Sequence, residues 1–395
     1  MVCVPAHLPT KPEGRVVVLG AGKASARMAE AVEAAWGPCE GFVITRYGYA
    51  RPCEGIEIVE AAHPVPDQAG IDATQKLLEI ARGLGSSDTV VMLISGGGSA
   101  LLCAPAEGLT LADKQALASD MLASGMPIGD INGIRKELSA VKGGRLAAAV
   151  HPAKLTALMI SDVPGDDPSD IASGPTVGHG GSAARAVETL AKWGVQPSNA
   201  IAVFLAAGGQ PLAADDLRLT GVENKVIAAP FQSLRAAADL AENHGVSVRM
   251  LGDAIEGEAR DVAAAQVAMA IEIASENLPQ PVLLLSGGEC TVTRRGDGIG
   301  GPNAEFTLAA AVALRGHPKV HVIACDTDGV DGAAEVAGAI ADPSTLALAE
   351  AMGISAQAEL DNNNAHGFFE KIGGQVVTGP TLTNVNDFRA ILVMP

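Results

Sequence analysis

Aromatic side chains are scarce in this sequence: two Trp, two Tyr and seven Phe among 395 residues, or 3%. With 48% apolar residues and 46 glycines, that scarcity excludes a β-sandwich or disordered profile and leaves an Ala/Val/Leu/Gly-rich α/β protein. Base is also short, with 27 Lys and Arg against 45 Asp and Glu and a formal net charge of −18. A phosphate backbone needs basic patches, so this balance disfavours nucleic acid, and none is expected as a partner. A small anionic substrate is not, because a few local cations and backbone amides suffice for it. The six cysteines (Cys3, Cys39, Cys53, Cys103, Cys290, Cys325) show no C-x-x-C spacing, which argues against structural zinc and for a reducing compartment. No apolar run is long enough to span a bilayer and no signal peptide opens the chain. These absences predict a cytoplasmic protein without a membrane partner.

Its length predicts two domains. The stretch that organises the first is Val90-Val-Met-Leu-Ile-Ser95-Gly96-Gly97-Gly98-Ser99, a buried-strand run ending in three glycines. In α/β proteins ligands sit at the carboxyl ends of strands. Glycines there let the backbone approach a ligand and leave amides to hold an anion. A related turn, Ser286-Gly287-Gly288-Glu289, closes a strand in the second half.

The first strand, 15–20, runs into Gly20-Ala-Gly22-Lys23-Ala-Ser25. This is nearly a dinucleotide G-x-G-x-x-G, but Ser25 replaces the third glycine and no acidic residue ends the next strand (41–46), so a nicotinamide site is disfavoured. The Walker spacing is absent too. What remains is a lysine in a glycine turn, suited to a transferring phosphoryl group. The competing reading is a solvated lysine in a tight turn. His63-Pro64-Val65-Pro66-Asp67 is a rigid loop in which Asp67 caps a helix over 68–81. Thr110 and Asp113 start another helix, over 110–124.

Arg135, Lys142 and Arg145 concentrate basic charge in an otherwise acidic chain. Arg135 and Lys142 lie two helical turns apart and can share a face; the alternative is a surface helix held by ion pairs. Asp162, with Asp166, Asp167 and Asp170 behind it, follows a strand over 155–160. Such oxygen-rich clusters suit Mg²⁺ beside nucleotide phosphates. From 281 a second unit reads as a strand ending at Gly287-Gly288-Glu289, a hairpin partner over 290–294, and a glycine segment leading into a helix over 307–314. A strand over 320–325 then ends in Asp326-Thr327-Asp328-Gly329-Val330-Asp331, a second cation or nucleotide candidate.

The motifs VVVLGAGKAS, HPVPD, LISGGGSALL, DINGIRKELSAVKGGRLA, ISDVPGDDPSDIASGPT, LLSGGECTV, GGPNAEF, DTDGVDG and TGPTLTNVND occur in order along the chain. Together they resemble the glycerate 2-kinases that carry a C-terminal MOFRL domain, from Val16 onward. The resemblance implies a Rossmann-like α/β/α N-terminal domain (1–275, with 180–275 open to sharing) and a smaller α/β MOFRL domain (276–395), with the active site in the cleft between them. It implies ATP- and Mg²⁺-dependent phosphorylation of D-glycerate at its 2-hydroxyl; the rival is an NAD(P)H-dependent hydroxypyruvate reductase, a label some relatives carry. A homodimer is allowed.

Under the kinase expectation Lys23 and Asp162 are catalytic, and Ser95, Gly96, Gly97, Gly98, Ser99, Arg135 and Lys142 bind substrate or phosphate. Gly287, Gly288, Glu289, Asn303, Asp326 and Thr327 bind nucleotide, and Asp162, Asp326 and Asp328 hold the metal. The family's basic residue in its GGRNQE-type segment falls on Pro302, so its charge must come from elsewhere, with Arg135 and Arg294 as candidates. The short proline-rich lead-in also suggests a truncated start that would expose part of the first domain.

Overall fold

The computed structural model describes residues 3–210, 212–332 and 334–395. The chain divides into two compact units, Met1–Ile227 and Ala228–Pro395. In the first, β1 (Val16–Ala21), β2 (Glu40–Arg46), β3 (Ile56–Ala61), β4 (Thr89–Ile94), β5 (Lys154–Ile160) and β6 (Glu223–Ala228) form a sheet in the order β3-β2-β1-β4-β5-β6. The pairings from β3 through β5 are parallel. All six residues of β1 are buried, the pattern of a strand covered on both faces by helices. This order is that of the doubly wound fold, whose topological switch point lies between β1 and β4.

Helix starts follow local chemistry. Asp67 accepts from the Gly70 amide (3.0 Å) at the head of Gln68–Arg82. Thr110 and Asp113 form a reciprocal capping box on Leu111–Ala123. Near the start, Cys3–His7 is a short helix whose Val4 is fully buried.

The second unit holds β7 (Ser247–Gly252), β8 (Gly257–Glu258), β9 (Val282–Gly288), β10 (Cys290–Thr291), β11 (Val320–Asp326), β12 (Gly338–Ala341), β13 (Gln375–Val376) and β14 (Asp387–Val393). Six of these form a sheet in the order β13-β12-β11-β14-β9-β7, antiparallel except for the parallel β7–β9 pair. The compact units part at 227/228, whereas the sequence placed its boundary at 275/276 with 180–275 open to sharing. The reason is pairing: Ser247 faces Val282 in register, and the helix Pro230–Asn243 buries Leu234 and Ala238 with Leu285 and Ala390. Nothing in the local sequence of β7 says which sheet it will join.

Two further expectations are corrected. Residues 290–294 do not form a hairpin with β9; β10 pairs in parallel with β8. The helix expected from 307 begins at Pro302, which occupies its first turn, and runs to Leu314, as a ring with no N–H prefers. All six cysteines are free thiols, and no helix among the described residues is long and apolar enough to cross a membrane.

Asp331 secures the start of that helix. Its Oδ1 accepts from the Asn303 amide (3.0 Å) and its Oδ2 from the Ala304 amide (2.8 Å), while His366 Nε2 stands 3.1 Å from Oδ2. Asp331 is 1% exposed, so removing its carboxylate strands buried donors. Asp331→Ala is expected to cost about 2–4 kcal/mol, read as a lower urea midpoint of the full chain. An unchanged midpoint would show that the cap contributes nothing.

Candidate active site

The two glycine turns of the first unit leave the sheet level with each other, because β1 and β4 pair through Ala21↔Ile94. The Lys23 amide donates to Gly96 O (2.8 Å), and the Ala24 amide to Ser95 Oγ (3.0 Å). Gly22 lies so close that a Cβ would fall 2.1 Å from Ser95 Oγ. A Cβ on Gly97, where φ is +79°, would lie 3.0 Å from His63 Cδ2 and Nε2 and 3.1 Å from Lys23 Cγ. Lys23, His63 and the triple-glycine turn therefore meet at one corner. Amides of Gly98, Ala100 and Leu101 are spent on the carbonyls of Ser95 and Gly97. That leaves those of Gly97 and Ser99 to an incoming anion among the described residues.

Behind the turn, Ser99 Oγ is 2.6 Å from Ser173 Oγ. Ala172 and Ser173 both have positive φ (52° and 64°), and a Cβ on Gly98 would lie 2.7 Å from Ala172 Cβ. Left-handed non-glycine residues cost of the order of 1–3 kcal/mol each and persist where surrounding packing holds them. Asp162 follows β5, which pairs with β4 through Ile94↔Met159, so it stands at the same edge of the sheet, half-buried.

The basic cluster separates into two kinds of cation. Lys136 pairs with Asp170 (3.2 Å), and Arg145 with Glu137 (3.6 Å) and the carbonyls of Lys136 and Lys142. These are structural. Arg135 and Lys142 have no carboxylate within 4.0 Å among the described residues. Arg135 Nη1 donates to Asn132 Oδ1 (3.4 Å), and Lys142 Nζ to Ser99 O (2.7 Å). The shared helix face expected of them is corrected, because the helix Ile128–Glu137 ends before Lys142. They converge instead across a cavity of about 700 Å³.

A third cation lines that cavity, Lys114, also without a carboxylate partner among the described residues. Sequence reading passed over it, yet its helix carries a signal. Leu111, Leu117, Ala118 and Met121 sit at i−3, i+3, i+4 and i+7 from it and line the same cavity, so this lysine lies on the apolar face of its helix. Burial, and then repulsion from Arg135 and Lys114, pushes the Lys142 ammonium well below its ordinary value. Burial also brings Lys114 down to about 8.

In the second unit several candidate nucleotide or metal residues are engaged within the unit itself. A Cβ on Gly288 would lie 2.2 Å from Ile255 N, so this glycine admits the chain's own 254–255 segment. The Gly287 carbonyl accepts from Arg389 Nη2 and from the Ile255 amide. Arg389, 1% exposed, also holds Asp387 (3.1 Å) and Cys290 Sγ (3.2 Å); burial raises Asp387 to about 6. Neither residue was anticipated from sequence.

Asn303 is buried and bonded through Nδ2 to Asp331 and Asp387. Thr327 Oγ1 bonds to Asn386 O and the Val385 amide. Arg294 donates to Gly296 O within its own loop, and Pro302 serves as a helix start. Glu289 is exposed and Asp326 half-buried.

Among the described residues no group of three His, Cys, Asp or Glu side chains is placed to hold a metal ion. Magnesium arriving with a nucleotide needs only one or two carboxylates. Asp162 and Asp326 fit that need by their partial exposure. Asp328 does not, being 1% exposed with Oδ1 accepting from the Val330 amide.

The folded-state value of Lys114 lies below its unfolded one, so its charge is a cost to the fold below pH of about 8. That cost is relieved as pH rises from there to the ordinary 10.5. Anion binding runs the other way. Thermal stabilisation by inorganic phosphate is expected to weaken as pH passes about 8. In Lys114→Arg, which stays charged, the decline should be flattened; identical profiles would remove Lys114 from the anion site.

Two family models match: a domain of unknown function, DUF4147, over residues 3–206, and the MOFRL family over 282–387. An Agrobacterium vitis protein provisionally named hydroxypyruvate reductase is 48% identical, covering 99% of this chain and 90% of its own. The D-glycerate 2-kinase of Thermotoga maritima is 38% identical, covering 98% and 93%. A crystal structure of glycerate kinase from that organism superposes with a TM-score of 0.89 at 37% identity, covering 100% of this chain and 94% of the other. On likeness along its whole length, in sequence and in fold, the chain belongs to the glycerate 2-kinase family with a C-terminal MOFRL domain.

Proposed function

We propose that this chain transfers the terminal phosphoryl group of ATP to the 2-hydroxyl of D-glycerate, giving 2-phosphoglycerate. Phosphotransfer to an alcohol acceptor is the activity of its family. The observation that carries the acceptor side is a set of cations with no carboxylate partner among the described residues, the buried Lys142 and the half-buried Lys114 and Arg135, next to the Ser99 turn. Structural lysines and arginines find carboxylates, as Lys136 and Arg145 do here; cations left without one in an apolar pocket are matched by a ligand's charge.

In this reading the pocket holds the glycerate carboxylate. Lys23 and the amides of Gly97 and Ser99 stabilise charge on the transferring phosphoryl oxygens. Asp162 orients the 2-hydroxyl and accepts its proton. Glu289 and Asp326 are the second unit's own candidates for nucleotide contact. Mg²⁺ bound with the nucleotide would supply phosphate charge neutralisation, and the half-buried carboxylates that would suit it are Asp162 in the first unit and Asp326 in the second.

The rival reductase meets a physical obstacle at the first turn. In a dinucleotide fingerprint the second glycine lets the backbone approach the pyrophosphate. Here Gly22 approaches Ser95 instead, and Ser25, at the third position, bonds through Oγ to Leu93 O (3.0 Å). At the end of β2, where a ribose-binding acid would stand, Arg46 lies against the Tyr49 ring at 5.2 Å.

Incubation with ATP, Mg²⁺ and D-glycerate, with the product's phosphate position assigned by phosphorus NMR, should yield 2-phosphoglycerate. NADH or NADPH with hydroxypyruvate should give no turnover, and the reverse result would sink the kinase reading. Lys23→Ala should lower kcat by about 100- to 1,000-fold without loss of fold; near-full turnover would take Lys23 out of the reaction.

A further inference from the structure

The cations of the acceptor pocket outnumber the charge of the acceptor. Glycerate brings one negative charge, whereas Lys114, Arg135 and Lys142 supply up to three positive ones with no carboxylate within 4.0 Å among the described residues. The wall between them is apolar, including Val65, Leu117, Met121 and Ile131. In such surroundings Coulombic terms are several times stronger than in water, and an unmatched charge is costly. A single carboxylate would leave the pocket with a surplus. A hydroxy acid carrying a phosphate ester adds about −1.5 to −2 to its carboxylate near neutral pH, for a total close to that of the three cations. Lys142, bonded to Ser99 O at 2.7 Å, ties the pocket to the turn where the phosphoryl group would arrive.

We propose that this pocket is matched to the phosphorylated acid rather than to the free one, so that the enzyme binds its product more tightly than its acceptor, with Lys114 as the residue that sets the difference. The inference deepens the kinase reading and rests on it. Product release would then limit turnover, and salt, by screening the pocket as it opens, would speed it.

The test uses the full chain without nucleotide. Isothermal titration with 2-phosphoglycerate and with D-glycerate at low ionic strength should give product affinity at least about tenfold higher, one such factor being a modest share of one desolvated charge pair. Lys114→Met should weaken product binding about tenfold or more and glycerate binding about threefold or less, with Lys114→Arg restoring the preference. If Lys114→Met does not fold, the arginine variant and a salt titration of wild-type product binding carry the test.

Wild-type protein that phosphorylates glycerate yet binds product no better than acceptor overturns the inference and leaves the kinase reading standing. Equal weakening of both ligands by Lys114→Met overturns it as well. Protein that neither turns over glycerate nor binds the phosphorylated acid overturns both.

Discussion

Three cationic side chains lining one mostly apolar pocket, with no carboxylate within 4.0 Å among the described residues, are a cost to this fold. Lys114, Arg135 and Lys142 arrive from three separate stretches: a helix with its own capping box, a second helix, and the turn after it. Burial, then Arg135, disfavours the charge on both lysines, and Lys114 adds to the effect on Lys142; a fold that served only stability would have placed acids beside them. It does so for their neighbours in sequence, Lys136 and Arg145. Many of the chain's other cations, Lys136 and Arg145 among them, stand within 4.0 Å of a carboxylate, whereas among the described residues these three do not, and that contrast supports the functional reading.

What makes the arrangement affordable is the sheet beneath it. A parallel sheet in the order β3-β2-β1-β4-β5-β6 reverses its winding between β1 and β4, and the crevice so formed holds both glycine turns of the first unit. The turns are locked to each other by Lys23 N, Ala24 N and Ser95 Oγ. The corner is therefore stiff before any ligand arrives, which is what charge stabilisation of a transferring group requires. The positive φ of Ala172 and Ser173 fits the same picture, with local strain held in place by packing beneath the Ser99 turn.

The second unit uses similar glycine and carboxylate chemistry for a different end. Its glycine pair admits residues 254–255, its Asp331 caps a helix, and Arg389 ties strand ends together through Asp387, Cys290 and Gly287. Motifs of one appearance thus divide into a turn that leaves amides to an anion and a turn closed by its own chain. The distinction lies in what fills the space beside the glycine.

Much of this was legible in the chain itself. Strands β1 and β4 are nearly continuous apolar runs, the helix caps at Asp67 and Thr110 are side-chain chemistry between near neighbours, and Lys23 in its glycine turn could be picked out by spacing as a candidate. Those features depend on residues close in sequence, so sequence determined them. Tertiary structure alone decided that β7 joins the second sheet, that Gly288 serves packing, and that Asn303 is spent on Asp331 and Asp387. It also decided which cations of 135–145 find acids and brought Lys114, more than twenty residues upstream, to face the two that do not. Each of these is set by partners distant in the chain, whose meeting depends on how layers stack and which strands pair, and no local pattern encodes that.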